Sequence, residues 1–371
     1  MADSSAEHFS KRVTLKDVAS KARLSVAAVS LALRDHPRLP ESTRNRVKRI
    51  AAELGYRPDP ALSALAAHRS RKRIFQDFSV IGLVSNWSTK DAWTELPSAK
   101  QLIEGAAERA RELGYSLQHL WARQDGASPA RFSRILEARG IRGLIIAPLE
   151  DPESSFPLDW KSFSAVTIER TLQHPGFHHL VPNHYGDLLT CWDRIRERGF
   201  KRVGLIVRGD LAARWNHQWE AAHAYAQSHS ESPLEPVPTL ELSPDNQFDA
   251  IRQWIREHRP EVVIGRCENF AEAAAAEGLQ MPQDISYVSL NVIDDIAGAT
   301  GIDQHRDAMG ATAVDVLNSL LQRNQRGPQS VAIGTQVDGT WREGNTLGLA
   351  PRAGRKNARR TPRVRVEKPA A

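Results

Sequence analysis

The sequence predicts a chain of two regions: an all-α N-terminal headpiece built on a helix-turn-helix, followed by an α/β region folded as two lobes of parallel sheet. Three observations carry this. Apolar residues recur at three- and four-residue steps in stretches between Val13 and Leu54. From Phe78 onward, short apolar runs alternate with amphipathic stretches. Charge also separates along the chain, with a net +9 in residues 1–73, −10 in 74–350 and +7 in 351–371.

Residues 1–12 lack apolar periodicity and are expected to be disordered. From Val13 to Leu33, Val18, Ala19, Ala22, Val26, Val29 and Leu33 fall on helical steps interrupted at Arg23-Leu24-Ser25, which predicts two short helices and a tight turn. Thr14, with Asp17 three residues on, caps the first and Ser25 caps the second. A third helix runs from about Glu41 to Leu54 on Val47, Ile50, Ala51 and Leu54, and Gly55 ends it. The headpiece is therefore placed at 13–58. Residues 59–73 form a linker too poor in apolar residues to fold alone, which becomes helical only against a partner.

Over 74–350 the expected strands are 79–85, 115–121, 143–149, 165–169, 202–208, 261–265 and 285–291. Helices are expected between them, among them Ala99–Leu113, Pro129–Arg139, Tyr185–Arg198, Asn216–Ser228, Phe248–His258 and Asp307–Arg323. Ligands of such folds bind where strands end at their carboxyl side. The tail 351–371 is dense in positive charge without periodicity, and disorder is expected there.

Composition excludes several classes. No apolar run approaches the roughly 20 residues that span a bilayer, and the first residues lack the apolar segment of a secretory signal, so a cytoplasmic protein is expected. Cys191 and Cys267 stand far apart, without disulfide or zinc-ribbon spacing. The cluster of His174, His178, His179 and His184 has no acidic or cysteine partner at ligand spacing, and neither a metal nor any other cofactor is expected. There is no GxSxG, HExxH, P-loop or GxGxxG signature, so no catalytic residues are assigned and the protein is not expected to be an enzyme. A basic head on an acidic body points to a polyanion that meets the head and not the body.

The run VTLKDVASKARLSVAAVSLAL, followed by TRNRVKRIAAELGYRPDPALSALA, closely resembles the DNA-binding headpiece of the LacI/GalR (lactose-repressor) family. The later segments QDISYVSLN and TGIDQHRDAMGATAVDVL, with a final strand near Val337–Trp341, resemble that family's two-lobed, periplasmic-binding-protein-like effector domain. The resemblance implies a ligand-responsive, dimeric transcription regulator, nucleoid-associated when bound to a pseudo-palindromic double-stranded DNA operator. A repressor is the expected sign, with a small molecule, a carbohydrate by family, in the cleft between the lobes. A solute-binding receptor and an architectural DNA-binding protein without a specific operator are the alternatives.

Residue by residue, the resemblance places Thr14, Ser30, Thr43 and Tyr56 against phosphates or the adjacent backbone, Ser25 at the start of the reading helix, and Arg34 at its end within reach of a phosphate. The specificity positions fall on Val26, Ala27 and Leu31, which offer only apolar contacts such as to a thymine methyl. Leu62 and Leu65 fall where a hinge helix wedges into the minor groove and kinks the duplex. Arg23 replaces the Gly or Asn usual in the turn, and Pro40 the usual cap of the third helix. For the effector, Asn86, Trp87 and Trp93 follow the first strand. Asn183, Trp219, Glu268 and Asn291 take positions where the family presents Asp, Arg, Asp and Asp. The usual arginine is thus absent, with Arg214 and Gln218 as nearby substitutes, and Trp87, Trp93, Trp215 and Trp219 are candidate stacking faces for a sugar.

Overall fold

The computed structural model describes residues 13–33, 39–56, 79–123, 128–150, 156–230 and 234–350. In the headpiece, α1 (Leu15–Ala22), α2 (Val26–Leu33) and α3 (Glu41–Glu53) bury Val18, Ala19, Ala22, Val29, Ala32, Val47 and Ala51 in one small core. The Thr14 amide and hydroxyl both donate to the Asp17 carboxylate at 2.7 Å, closing a capping box on α1. Ser25 Oγ accepts the Ala28 amide at 3.1 Å and so caps α2. Between them Arg23 adopts a left-handed conformation (φ 54°, ψ 44°), and its amide satisfies carbonyls at the end of α1. Gly55, at φ 67°, ends α3 after Leu54.

The chain divides into two compact units, Met1–Pro182 with His305–Val337, and Asn183–Gln304 with Asp338–Ala371. The lobes are therefore not successive halves of the sequence, because the chain passes between units three times.

In the first unit, β1 (Ser79–Ser85), β2 (Tyr115–Trp121), β3 (Gly143–Ile146), β4 (Ser164–Ile168), β5 (His178–Pro182) and β11 (Gly334–Val337) form an all-parallel sheet in the order β11-β5-β4-β3-β1-β2. Strand alternation sends Ile81, Leu83, Ile145 and Val166 to one face, against α4 (Pro97–Glu112) and α10 (Arg306–Gln322). Val84, Leu144, Ile146 and Ala165 go to the other, against α5 (Pro129–Ala138). Helices α4 and α10 touch backbone to backbone. A Cβ on Gly310 would lie 2.1 Å from the Leu102 carbonyl oxygen, and one on Gly105 would lie 2.1 Å from that of Asp307.

In the second unit, β6 (Val203–Arg208), β7 (Leu240–Leu242), β8 (Val262–Gly265), β9 (Ser286–Ser289), β10 (Gly301–Asp303) and β12 (Thr340–Arg342) follow the order β12-β10-β9-β8-β6-β7, with only β12 antiparallel. One face packs on α6 (His184–Glu197) and α7 (Gln218–Ser228), the other on α8 (Gln247–His258) and α9 (Phe270–Ala276).

Each of the seven expected strands is present, several a few residues shorter. The single final strand expected near Val337–Trp341 is corrected to two. β11 closes the first sheet and β12 the second, with Asp338 and Gly339 between them. Four further strands, β5, β7, β10 and β11, and the short helix α9 were not anticipated, because three to seven residues carry too little periodicity to register. Among the described residues no helix is long and apolar enough to cross a membrane.

Candidate nucleic-acid interface and effector site

The reading helix α2 has two unlike faces. Val29 and Ala32 are fully buried against α1 and α3, whereas Val26 keeps 41% of its surface exposed and Ala27 is exposed beside it. Ser30 and Leu31 lie half-buried at the edges. An eight-residue helix cannot bury every side, so the small apolar residues off the core stripe form its outer surface.

Each helix start carries a hydroxyl: exposed Thr14 before α1, exposed Ser25 before α2 and half-buried Thr43 in the first turn of α3. Helix N-termini carry unpaired amides and partial positive charge, which suit phosphate. Tyr56, half-buried, packs against the headpiece core. Arg34, Leu62 and Leu65 lie outside the described residues.

One tie in the headpiece was not readable in advance. The Arg46 guanidinium donates to the Ala22 carbonyl at 3.3 Å and fastens α3 to the end of α1 beside the left-handed Arg23. The contact spans 24 residues, and nothing local in the sequence marks it.

In the second unit Arg214, Trp219, Glu268 and Asn291, half of the predicted ligand residues, follow the carboxyl ends of β6, β8 and β9. After β6 the chain makes a 3-10 turn over Gly209–Trp215 and enters α7 at Gln218. Trp219 packs face-tilted on Trp215 with centroids 4.1 Å apart and takes the edge of His184 at 5.1 Å. One turn on, His223 Nδ1 accepts the Trp192 indole N–H at 3.2 Å, and burial pushes its pKa down to about 4, so the ring is neutral with its proton on Nε2. Trp219 Nε1, Gln218 Oε1 and His223 Nε2 are buried atoms without a hydrogen-bond partner. Arg214 is half-buried and already engaged by neighbours.

Asn291 follows β9. Its amide donates to Asp294 at 3.1 Å and its carbonyl oxygen accepts the Ile293 amide, while Arg266 pairs with the same Asp294 carboxylate at 3.3 Å. Asp295 accepts from Tyr287 at 2.8 Å and Ser289 at 2.6 Å; its burial outweighs these bonds and raises its pKa. This network holds the loop after β9, so Asn291 acts first as a loop brace. Glu268, after β8, is exposed. Asn183 caps α6 through the Gly186 amide at 3.1 Å and donates to Asp338 at 2.8 Å, which makes it a brace as well.

In the first unit, Asn86 is buried at the end of β1 and its Oδ1 has no partner. The Trp87 indole donates to the Pro148 carbonyl at 2.7 Å, and the Trp121 indole to the Trp87 carbonyl at 2.8 Å. Ser85 and His119 share a hydrogen bond of 2.8 Å. Trp93 is 4% exposed and packs within the apolar core of the first unit. Trp215 and Trp219 likewise turn their faces to each other rather than to solvent.

Comparison with known proteins bears on both regions. Residues 14–59 match the model of bacterial regulatory proteins of the lacI family, and residues 192–339 match a periplasmic binding protein-like domain. The HTH-type transcriptional repressor PurR of Klebsiella pneumoniae (strain 342) is 23% identical over 334 residues, covering 86% of this chain and 94% of that protein. The lac repressor dimer bound to operator and the anti-inducer ONPF superposes with a TM-score of 0.51 at 21% identity, over 92% of this chain and all of that one. A CelR–cellobiose complex does so at 0.54 and 18%, over 90% of this chain and all of that one. The headpiece is thus a lacI-family DNA-binding domain, and it precedes a periplasmic binding protein-like domain.

With that headpiece it is a DNA-binding transcription regulator with a ligand-binding-type α/β region, and not an enzyme. Two of its departures from the family pattern are absorbed locally. Arg23 takes up the left-handed turn that Gly or Asn would favour, and α3 starts at Pro40 without a side-chain cap. Three histidines of the 174–184 segment have separate tasks: His178 accepts the Ile333 amide, His179 contacts the Phe177 carbonyl, and His184 packs on Trp219.

Proposed function

We propose that the protein is a cytoplasmic, ligand-responsive repressor that binds a pseudo-palindromic operator as a dimer and takes a small molecule, a carbohydrate first among candidates, in its α/β region. The observation that carries the reading is the outer face of α2: Val26 and Ala27 exposed with Leu31 at the edge, while Val29, Ala32 and Leu33 hold the helix to its core. Small apolar groups in the major groove read thymine methyls, and the hydroxyls of Thr14, Ser25, Ser30, Thr43 and Tyr56 fix register on phosphates. Arg34 adds a phosphate contact, and Leu62 and Leu65 supply the minor-groove wedge that lets DNA deformability contribute specificity. The unpartnered polar atoms of Asn86, Gln218 and Trp219 support a ligand at the strand ends of the α/β units. A carbohydrate is favoured by the cellobiose complex of a structural relative, and dimeric operator binding by that of the lac repressor.

The test is selection of bound DNA from a random pool at moderate salt, with and without a sugar collection. Enrichment of a palindrome whose recovery changes with one sugar supports the proposal. Recovery of unselective sequences would leave an architectural DNA-binding role instead, and a palindrome insensitive to Leu65→Ala would remove the wedge.

A further inference from the structure

Residues 331–337, VAIGTQV, lead into and form β11, which closes one side of the first unit's sheet with β5 as its only strand neighbour among the described residues. The run holds no charge and no proline, and it leaves Val331 74% and Ile333 60% exposed, one strand period apart and so on one face. Folded proteins blunt such edges with charge or by keeping them very short, because an open row of amides and carbonyls templates a further strand. The second unit's edge strands obey this. Both β7 and β12 are three residues long, with Glu241 in one and Arg342 in the other.

The edge is held extended from its inner side. The Ile333 amide donates to His178 Nδ1 and the Ile333 carbonyl accepts the His179 amide, each at 3.0 Å, while upstream the Gln329 amide donates to the Gly176 carbonyl at 3.1 Å. The parallel register sets Gly334 opposite His179 and Gln336 opposite Val181. The backbone groups of Ile333, Thr335 and Val337 therefore turn to β5, and those of Gly334 and Gln336 turn outward, already spaced to receive a strand.

The charge beside this edge has one sign. Burial lowers the pKa values of His178 and His179, and after it Arg323 acts on His178 and Arg170 on His179. Arg170, Arg323 and Arg326 are exposed, and none of them pairs with a carboxylate among the described residues. Asp338, the first carboxylate after β11, accepts from Asn183. Like charge disfavours two occupants that the chain itself could supply: residues 351–371 carry a net +7, and a second copy of β11 would bring the same arginines. A nucleic acid would satisfy the arginines but leave Val331 and Ile333 in water.

We propose that the β11 edge docks an extended acidic segment of a partner protein, which adds as a further strand on Gly334 and Gln336, covers Val331 and Ile333 with apolar side chains and sets its carboxylates against Arg170, Arg323 and Arg326. Main-chain pairing supplies affinity, and the alternation of apolar and acidic side chains supplies specificity.

The test is fluorescence anisotropy with the full chain and two short labelled peptides, one of alternating Glu and Val and one of alternating Lys and Val, followed by amide hydrogen exchange. The Glu-Val peptide is expected to bind more weakly as salt rises and to slow exchange at Gly334 and Gln336, and the Lys-Val peptide to show no binding. Gln336→Pro removes one outward amide and no bond to β5, and is expected to weaken the Glu-Val peptide about tenfold while moving Tm by no more than a few degrees. Arg323→Glu with Arg326→Glu is expected to lose the Glu-Val peptide. Equal binding of both peptides, no binding of either, or a Gln336→Pro chain with unchanged affinity overturns the proposal. Slow exchange at Gly334 and Gln336 in the free chain also overturns it, naming the tail as occupant if the slowing is independent of protein concentration and a second copy if it grows with concentration. Protection of these amides by duplex DNA in place of the peptide overturns it in favour of a nucleic acid.

Discussion

At the scale of single residues, His223 makes a clear prediction. Burial holds its folded-state pKa near 4, below the ordinary value of 6.5, so the unfolded chain takes up a proton that the folded chain refuses. The stabilisation from keeping this ring neutral is complete above the unfolded value and is lost as pH falls from 6.5 toward 4, by about 3 kcal/mol at the end of that window. Urea midpoints at pH 7.5 and 5.0 should therefore differ in the wild type, and His223→Gln should lose most of that difference. Gly310 gives a second prediction. Its missing Cβ lets α10 lie against the Leu102 carbonyl, so Gly310→Ala must push α4 and α10 apart and should lower stability by about 3 kcal/mol or more, read by thermal unfolding. The buried pair of Arg306 and Glu169, at 3.0 Å, behaves likewise, since removing either leaves a charge without its partner.

Individual elements set how the headpiece reads DNA. Helix α2 was legible from its sequence because Val29 and Leu33 fall on the apolar steps and Ser25 on the cap, whereas packing decided that Val26, on the same steps, turns outward and Ala32 inward. If those side chains meet thymine methyls, uracil in place of the contacted thymines of a selected site should weaken binding by about 1 kcal/mol per methyl, measured by competition. Unchanged affinity at every substituted position would exclude methyl readout. The turn before α2 carries strain that an arginine need not accept. Arg23→Gly should stabilise the headpiece by about 1 kcal/mol if the side chain has no other task. A loss of DNA affinity in that more stable variant would show that the Arg23 side chain contacts phosphate. The sequence left the orientation of the tryptophans open, because a tryptophan at a strand end fits a core and a binding face equally well. Packing decided it, placing Trp93 in the core and joining Trp215 to Trp219.

For the whole molecule, charge and topology divide the labour. A net +9 over residues 1–73 and +7 over 351–371 against −10 over 74–350 keeps DNA attraction away from the α/β body, so affinity should fall on the order of a hundredfold between 50 and 200 mM salt, while ligand binding to the acidic body should change little. Linkage adds a further requirement. Whatever factor the ligand imposes on operator affinity, the operator must impose on ligand affinity, and titrations in both orders check it. The three passages between units, at residues 182–183, 304–305 and 337–338, make each lobe depend on distant stretches of the sequence. Strand order accordingly escapes any reading that proceeds along the chain.

The sequence by itself determined the headpiece and the kind of region that follows it. Helix caps, the three- and four-residue apolar steps and strand-helix alternation are local, and their physics is complete within about ten residues. Tertiary structure alone decided that the stretch near Val337–Trp341 serves two sheets, that Asn183 and Asn291 brace loops, and that Gln218 and Trp219 present polar atoms with nothing to meet. Those properties depend on partners far along the chain, because burial and hydrogen-bond satisfaction belong to the packed molecule rather than to any segment of it.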